Sequence, residues 1–265
     1  MKNKLLQELT WVDAQEAFQK SKLAVVPVGS IEQHGPHLPV GTDYIIGDYL
    51  GKRAGLELGA IVTPTIPVGF AEYHNDFAGT LSVNTETLTA YIQQICDHLV
   101  KHGVTHIIFV NAHGGNLTAL NNVSYNLRNR GVPAATILWW DITGRINPKW
   151  SLIGHGDIVE TSMMLAINPD AVNMERAKIP VSKKLTERIM IDTLHELRFE
   201  NAVARVSLRT KDISDTGDMI EYGVSAAADY SVPPSAATAE MGQEIIAAVV
   251  RWMVDFGREF VKVKF

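Results

Sequence analysis

The 265-residue chain contains one cysteine, Cys96, so no disulfide can form within it, and a reducing, cytoplasmic setting is expected. It has no apolar run of the length a bilayer-spanning helix needs. Its first ten residues are broken by charged side chains and carry no signal-peptide core. Neither charge is in large excess: 24 Lys and Arg stand against 29 Asp and Glu, a net −5. The basic residues are scattered, with Lys183-Lys184 the nearest approach to a cluster. That excludes nucleic acid and an anionic membrane as expected partners. No internal repeat, linker or low-complexity tract divides the sequence, so residues 1–265 read as a single domain. What is present is ordinary for a soluble globular protein, with 46% hydrophobic and 20% charged residues and length enough for a sizeable core.

One stretch departs from that background. Residues 25–43, VVPVGSIEQHGPHLPVGTD, continue a short apolar run (23–28) that reads as a buried strand, then break at Gly29 into a Gly- and Pro-rich loop. The loop holds Glu32, His34, His37 and Asp43 with hardly any other charge. Glu32 and His34 are two apart, so in extended backbone both side chains leave on the same side. A carboxylate and an imidazole aimed at one point suit a divalent cation such as zinc, manganese or iron. Turn chemistry also favours Gly, Pro and Asp, and Asp43, which opens the next helical pattern, equally suits a helix cap.

Along the chain, helix-forming composition over 12–21 precedes the first strand, and a helical pattern follows over 43–58. A second strand reads over 60–68, a helix from 85 or 86 to about 103, a third strand over 105–110, a helix over 117–130 and a fourth strand over 133–140. Repetition of strand, loop and helix implies right-handed βαβ units and a mostly parallel sheet covered by helices on both faces. The expected class is α/β, a three-layer α/β/α sandwich with its site at the carboxyl ends of the strands. Residues 155–167 and 236–262 read as two further helices. Between 178 and 235 the periodicity is poor, and helical patches such as 185–199 alternate with Gly, Ser and Pro. That segment reads as an elaboration over the site or in an interface.

His113 directly follows the third strand and precedes Gly114 and Gly115, which let the backbone bend and leave the imidazole exposed. A turn histidine is the plain reading. An anion cradle at Gly114-Gly115-Asn116 is the rival, although the Lys-Ser/Thr of a phosphate loop is missing. His155 and Asp157 open the helix that carries Glu160. Their structural readings are a backbone-bonded histidine, a helix cap and an exposed glutamate. His74 lies in a loop (70–80) rich in functional side chains, as a substrate contact or a surface residue. Trp140, with Trp139 and Trp150, suits an aromatic wall or the core. His98, His102 and His106 recur every four residues, but Gly103 interrupts the helix and no glutamate accompanies them, so a polar surface face is expected.

Three segments resemble the signature of the creatininase (creatinine amidohydrolase) family. They are residues 29–39 (GSIEQHGPHLP) with Gly41-Thr42-Asp43, then Asn111-Ala112-His113-Gly114-Gly115-Asn116, then His155-Gly156-Asp157 leading to Glu160-Thr161-Ser162. The resemblance runs in order from about residue 10 to about residue 250. It implies the same α/β/α fold and two divalent metal ions (zinc, manganese or iron). Glu32 and His34 would be terminal ligands, one to each ion, His113 a further ligand, and Asp43 the bridge, because cations about 3.5–4 Å apart need shared negative charge between them. Creatininase itself has a glutamate two residues after the matching histidine, where this chain has Gly115. Glu160 is the expected replacement, and the change argues against creatinine as substrate.

By the same resemblance His155 is expected to protonate the leaving nitrogen or orient the substrate carbonyl, with Glu160 as its catalytic neighbour. His74, Gly114, Gly115 and Trp140 are expected at the substrate. The implied activity is metal-dependent hydrolysis, in which a water brought from pKa 15.7 to about 7 attacks a carbonyl. The substrate would be a small cyclic amide, a formamide or a related cyclic keto compound such as a keto-inositol. The implied partners are that small molecule and further copies of the chain, a hexamer being favoured. A phosphometabolite-binding α/β protein and a non-catalytic metal-binding member of the same fold are the alternatives.

Overall fold

Apolar residues buried on both faces make β1 (Leu23–Val28) a central strand of a parallel sheet. In this computed structural model, residues 5–222 and 228–265 are described. Residues 1–4 of the N-terminal reading and 223–227 of the 178–235 segment lie outside the described residues. The sheet order is β2-β1-β3-β4, with β2 (Ile61–Val62), β3 (His106–Asn111) and β4 (Ala134–Leu138), and every neighbouring pair is parallel. β1 and β3 are in register from Leu23 opposite His106 to Val28 opposite Asn111. They therefore end at one level, and the turns that follow them open side by side.

Alternation along the strands divides the core. Val25, Ile108 and Val110 face a cluster built with α2 (Thr42–Leu58), α6 (Ile158–Ile167) and α8 (Ala239–Phe260). Ala24, Val26, Ile107 and Phe109 face another built with α1 (Trp11–Lys20), α3 (Thr85–Lys101) and α4 (Leu117–Arg128). This is the α/β/α sandwich that the sequence implies. Side-chain caps start the helices: Thr10 for α1, Asn84 for α3, Asp157 for α6 and Thr238 for α8 each accept a backbone N–H of the first turn. No helix among the described residues is long and apolar enough to cross a membrane.

Four expectations need correction. Only Ile61 and Val62 of the 60–68 run form strand, with a single further bridge from Ile66 to Val28. Pro64 and Pro67 lack the N–H that a ladder requires. β4 stops at Leu138, and α5 (Trp139–Ile146) begins without a loop, so Trp139, Trp140 and Asp141 are helical. His155 lies on a short strand, β5 (Gly154–His155), paired antiparallel with β9 (Met219–Ile220) rather than on a turn. The supposed helical patch over 185–199 is extended: β6 (Ile189–Thr193), β7 (Glu196–Phe199) and β8 (Ala202–Arg205) form an antiparallel sheet, followed by the short α7 (Thr210–Ile213). Its pairing with neighbours decides the matter over local propensity.

Glycines on α2 face the sheet and leave no room for a side chain. A Cβ on Gly51 would lie 2.5 Å from Pro27 Cγ, and one on Gly55 2.4 Å from Val62 Cγ2. That approach carries the first turn of α2, with Asp43, over the end of β1. Gly51→Ala should therefore lower stability even though alanine is favoured over glycine in a helix by about 1 kcal/mol. Overpacking against a rigid proline ring costs about 1–3 kcal/mol. The expected result in chemical denaturation is a lower midpoint and a net loss of about 1 kcal/mol; an unchanged or higher midpoint would refute the close-packing account.

Candidate metal centre

The turns after β1, β2 and β3 meet the first turns of α2 and α6 beyond the strand ends. Glu32 and His34 come from the first turn, His74 from the second and His113 from the third; Asp43 opens α2 and Glu160 lies in the first turn of α6. All six side chains are buried. His113 Nδ1 stands 3.1 Å from Glu32 Oε2 and 3.3 Å from Asp43 Oδ2. His34 Nε2 stands 3.1 Å from Asp43 Oδ1 and 3.9 Å from Glu160 Oε1. Three donor sets result, each with its ligand atoms within 4.8 Å of one another: Glu32/His34/His155, and the two that share a bridging carboxylate, Glu32/Asp43/His113 and His34/Asp43/Glu160. Asp43 belongs to the latter two and turns one oxygen to each histidine.

Backbone carbonyls fix which nitrogen each imidazole offers. His34 Nδ1–H donates to the Glu32 carbonyl at 3.1 Å, and His113 Nε2–H donates to the Phe70 carbonyl at 2.8 Å. A carbonyl only accepts, so the remaining nitrogen of each ring directs its lone pair at carboxylates. That arrangement calls for a proton or a cation in between. Burial opposes charge on His34, but Asp43 and Glu160 raise it to about 10. Burial likewise opposes charge on His113, and Glu32 and Asp43 hold it well above the usual imidazole range. Burial would raise the Glu32 carboxyl, yet His113 and His74 bring it well below its ordinary value. Burial pushes Glu160 up to about 8, with His34 pulling the other way.

Buried oxygens remain without a well-aligned hydrogen bond: Asp43 Oδ2 and Glu32 Oε1. The nearest ring nitrogens, 3.3 and 3.2 Å away, meet them in distance but not in direction. Carboxylate and imidazole donors around orphaned oxygens fit zinc, manganese or iron.

A surrounding network holds these ligands. Ser30 Oγ donates to Glu32 Oε2 at 2.7 Å, and the Gly156 N–H donates to Glu160 Oε2 at 2.7 Å. Gln33 Oε1 accepts the Gly35 N–H while its Nε2 donates to the Gly217 carbonyl, which fixes the amide. The same Nε2 donates to His74 Nδ1 at 3.0 Å, so His74 Nε2 carries the proton that faces Glu32 Oε1 at 3.2 Å. Thr210 Oγ1 also reaches His74 Nδ1, at 2.6 Å. Thus His74 is no surface residue; it lines the cavity, with Nδ1 held by protein and Nε2 near Glu32. His155 Nε2–H donates to the Gln33 carbonyl, leaving Nδ1 as the free nitrogen. Burial, then His34 and His74, lowers its pKa well below the usual value. The His155 ring stacks on His74 with centroids 4.6 Å apart. Asp157 is the helix cap, accepting the N–H groups of Val159 and Glu160 at 2.9 and 3.0 Å.

A cavity of about 310 Å³ opens over this centre. Trp140, Leu117 and Leu152 form an apolar side, and Thr193, Leu194 and His195 from the β6–β7 turn form another. Gly114 borders it with open space above. Gly115 does not line the cavity, contrary to expectation: the place of a Cβ there lies 2.1 Å from the Phe70 carbonyl oxygen and 2.7 Å from Tyr73 Oη. It is a packing position. Tyr73 and Glu221 also line the cavity, and neither was assigned from sequence. Tyr73 belongs to the loop marked as rich in functional groups, whereas Glu221, pushed up to about 7 by burial, sits in the segment without periodicity and had no signal.

The three spaced histidines do not converge. His102 stacks on Phe18 at 5.1 Å, and His106 Nε2–H donates to the Val263 carbonyl at 2.8 Å. His98 and His102 border a larger groove of about 840 Å³ between α1 and α3, whose described lining contains no carboxylate.

Residues 7–256 match the family profile described as Creatininase, Creatinine amidohydrolase. The chain is 29% identical over 191 residues to a creatinine amidohydrolase of Pseudomonas putida, covering 64% of this chain and 74% of that protein. It is 31% identical over 253 residues to a mycofactocin precursor peptide peptidase of Mycobacterium tuberculosis (strain ATCC 25618 / H37Rv), covering 86% of this chain and 85% of that protein. A crystal structure of creatinine amidohydrolase (creatininase) superposes with a TM-score of 0.74 at 25% identity, covering 98% of this chain and 99% of the other. The chain belongs to the creatininase family.

Proposed function

We propose that this creatininase-family, metal-dependent hydrolase cleaves a carbonyl C–N bond of a small cyclic amide or formamide, or opens a related cyclic keto compound, with two divalent cations. The observation that carries the reading is the pair of donor sets sharing Asp43, each with an imidazole whose outer nitrogen is pinned by a backbone carbonyl. Glu32, Asp43 and His113 would hold one cation, and His34, Asp43 and Glu160 the other. Bound there, the cations supply Lewis acidity and make a water acidic enough to act as nucleophile at neutral pH.

The protein supplies the rest. His155 is held neutral with Nδ1 free, so that nitrogen takes a proton from the attacking water and passes it to the departing nitrogen. The C–O bond forms first; once the nitrogen has received the proton the C–N bond breaks, its electron pair stays on nitrogen, and the amine leaves neutral. Trp140, Leu117 and Leu152 keep bulk water off the reacting carbonyl, which strengthens every polar interaction inside. Relatives in the family act on substrates as different as creatinine and a precursor peptide by their names. Here the cavity, near 310 Å³, favours a small molecule, and Gly115 in place of a carboxylate argues against creatinine.

Elemental analysis of wild type, Asp43→Ala and Glu160→Ala tests the centre. Two ions per chain are expected in wild type, neither held firmly without Asp43, and about one without Glu160. A metal-free wild type after reconstitution would defeat the reading in favour of an anion-binding protein. His74→Phe keeps the ring and removes the nitrogen that faces Glu32. It should weaken metal binding about 10–100-fold in chelator competition, with melting close to wild type; unchanged affinity would deny His74 its supporting role.

A further inference from the structure

We infer that Tyr73 is a substrate-contacting hydrogen-bond donor, positioned by Gly115, that selects substrates carrying a carbonyl or hydroxyl oxygen beside the bond to be broken. The inference rests on the hydrolase reading of the same cavity.

Tyr73 lies in the short turn Glu72–His74 after β2, and its side chain borders the cavity over the metal centre. Its Oη is 3.1 Å from His113 Nε2. That nitrogen must carry a proton, because it also donates to the Phe70 carbonyl at 2.8 Å. It therefore faces the phenol as a donor. A phenol oxygen accepts and also donates one hydrogen. Here the His113 N–H occupies an accepting position, and Tyr73 cannot donate to it. Among the described residues no protein acceptor takes its hydrogen, so the hydroxyl is a donor left for the cavity.

The phenol is also held in place. Its ring meets His74 with centroids 4.6 Å apart and His195 edge-on at 5.7 Å. A Cβ at residue 115 would stand 2.7 Å from Oη, so this placement requires glycine there. The exchange of a side chain at 115 for a phenol from another loop thus replaces whatever that side chain would do with a neutral donor. A fixed donor beside a water-poor centre stabilises oxygen that gains negative charge. It also leaves a substrate lacking an acceptor at that point with an unpaired buried hydroxyl to face, which is disfavoured.

Acetohydroxamate, which presents a carbonyl oxygen to a metal centre, is the probe, titrated calorimetrically into metal-loaded wild type and Tyr73→Phe. Metal content and melting temperature are measured on both proteins. Tyr73→Phe should bind the probe about tenfold more weakly, with metal content and melting unchanged. Equal affinity for the two proteins overturns the role of Tyr73 while leaving the hydrolase reading intact. Loss of metal from Tyr73→Phe also overturns it, since the phenol would then serve only to support His113. Failure of metal-loaded wild type to bind the probe overturns the hydrolase reading and this inference with it.

Discussion

Glu32, Asp43 and Glu160 are buried close together, and among the described residues their ion-pair partners are histidines, with no lysine or arginine beside them. Each buried carboxylate costs several kcal/mol in lost hydration unless positive charge compensates it. Without a cation, the compensation is imidazolium: His34 and His113 are both pulled far toward the protonated form by these acids. With a cation, the same two nitrogens give lone pairs instead. Proton and metal compete for identical atoms, so metal loading is coupled to proton release. The site is therefore a pre-paid cluster of negative charge whose surroundings must stop it from flying apart.

Those surroundings begin with the sheet. β1 and β3 end level, so their turns deliver Glu32, His34 and His113 to one place. Asn116 then ties the turns together: its Nδ2 donates to the Gly29 carbonyl after β1 and to Asn111 Oδ1 at the end of β3, and its Oδ1 accepts the Phe70 N–H after β2. One amide thus fixes three loops, which explains why the turn after His113 is occupied by structural hydrogen bonds and has no need of an anion. Asp157 does the equivalent for α6. By satisfying the helix's first N–H groups it leaves Glu160 free to turn inward, where the Gly156 N–H and His34 receive it.

Much of this was legible in the residues. The buried run of β1, the Glu-x-His pair and the strand–turn–helix around His113 each follow from local pattern. Other parts were not. The apolar stretch after β2 looks like strand until its prolines are asked for hydrogen bonds they cannot give. Trp139 and Trp140 read as the tail of β4 because their hydrophobicity suits strand and helix alike, and only the immediate entry into α5 distinguishes them. Glu160 reads as a ligand only through the family resemblance, since helix position alone does not say which face is buried. His74 reads from sequence as either a substrate contact or a surface residue, and its buried place in the cavity wall is not legible there: its partners Gln33 and Thr210 lie 41 and 136 residues away, and no spacing rule links them.

The division follows a physical logic. A metal centre demands few residue types with lone pairs at short, fixed spacing, so it leaves a strong local pattern. A substrate wall demands shape and a few donors or acceptors, which many sequences can supply from anywhere in the chain. The segment with the poorest periodicity accordingly does specific work: the β6–β7 turn closes the cavity, Thr210 and the Gly217 carbonyl brace His74 and Gln33, and Glu221 faces the same space. Tyr73 belongs with that wall in function although it lies early in sequence. Its position depends on a side chain that residue 115 does not have, and an absent atom leaves no periodic signature. The chemistry of this protein is thus written in its most patterned stretches, whereas its choice of substrate is set by residues whose roles emerge only when distant loops are brought within hydrogen-bond reach.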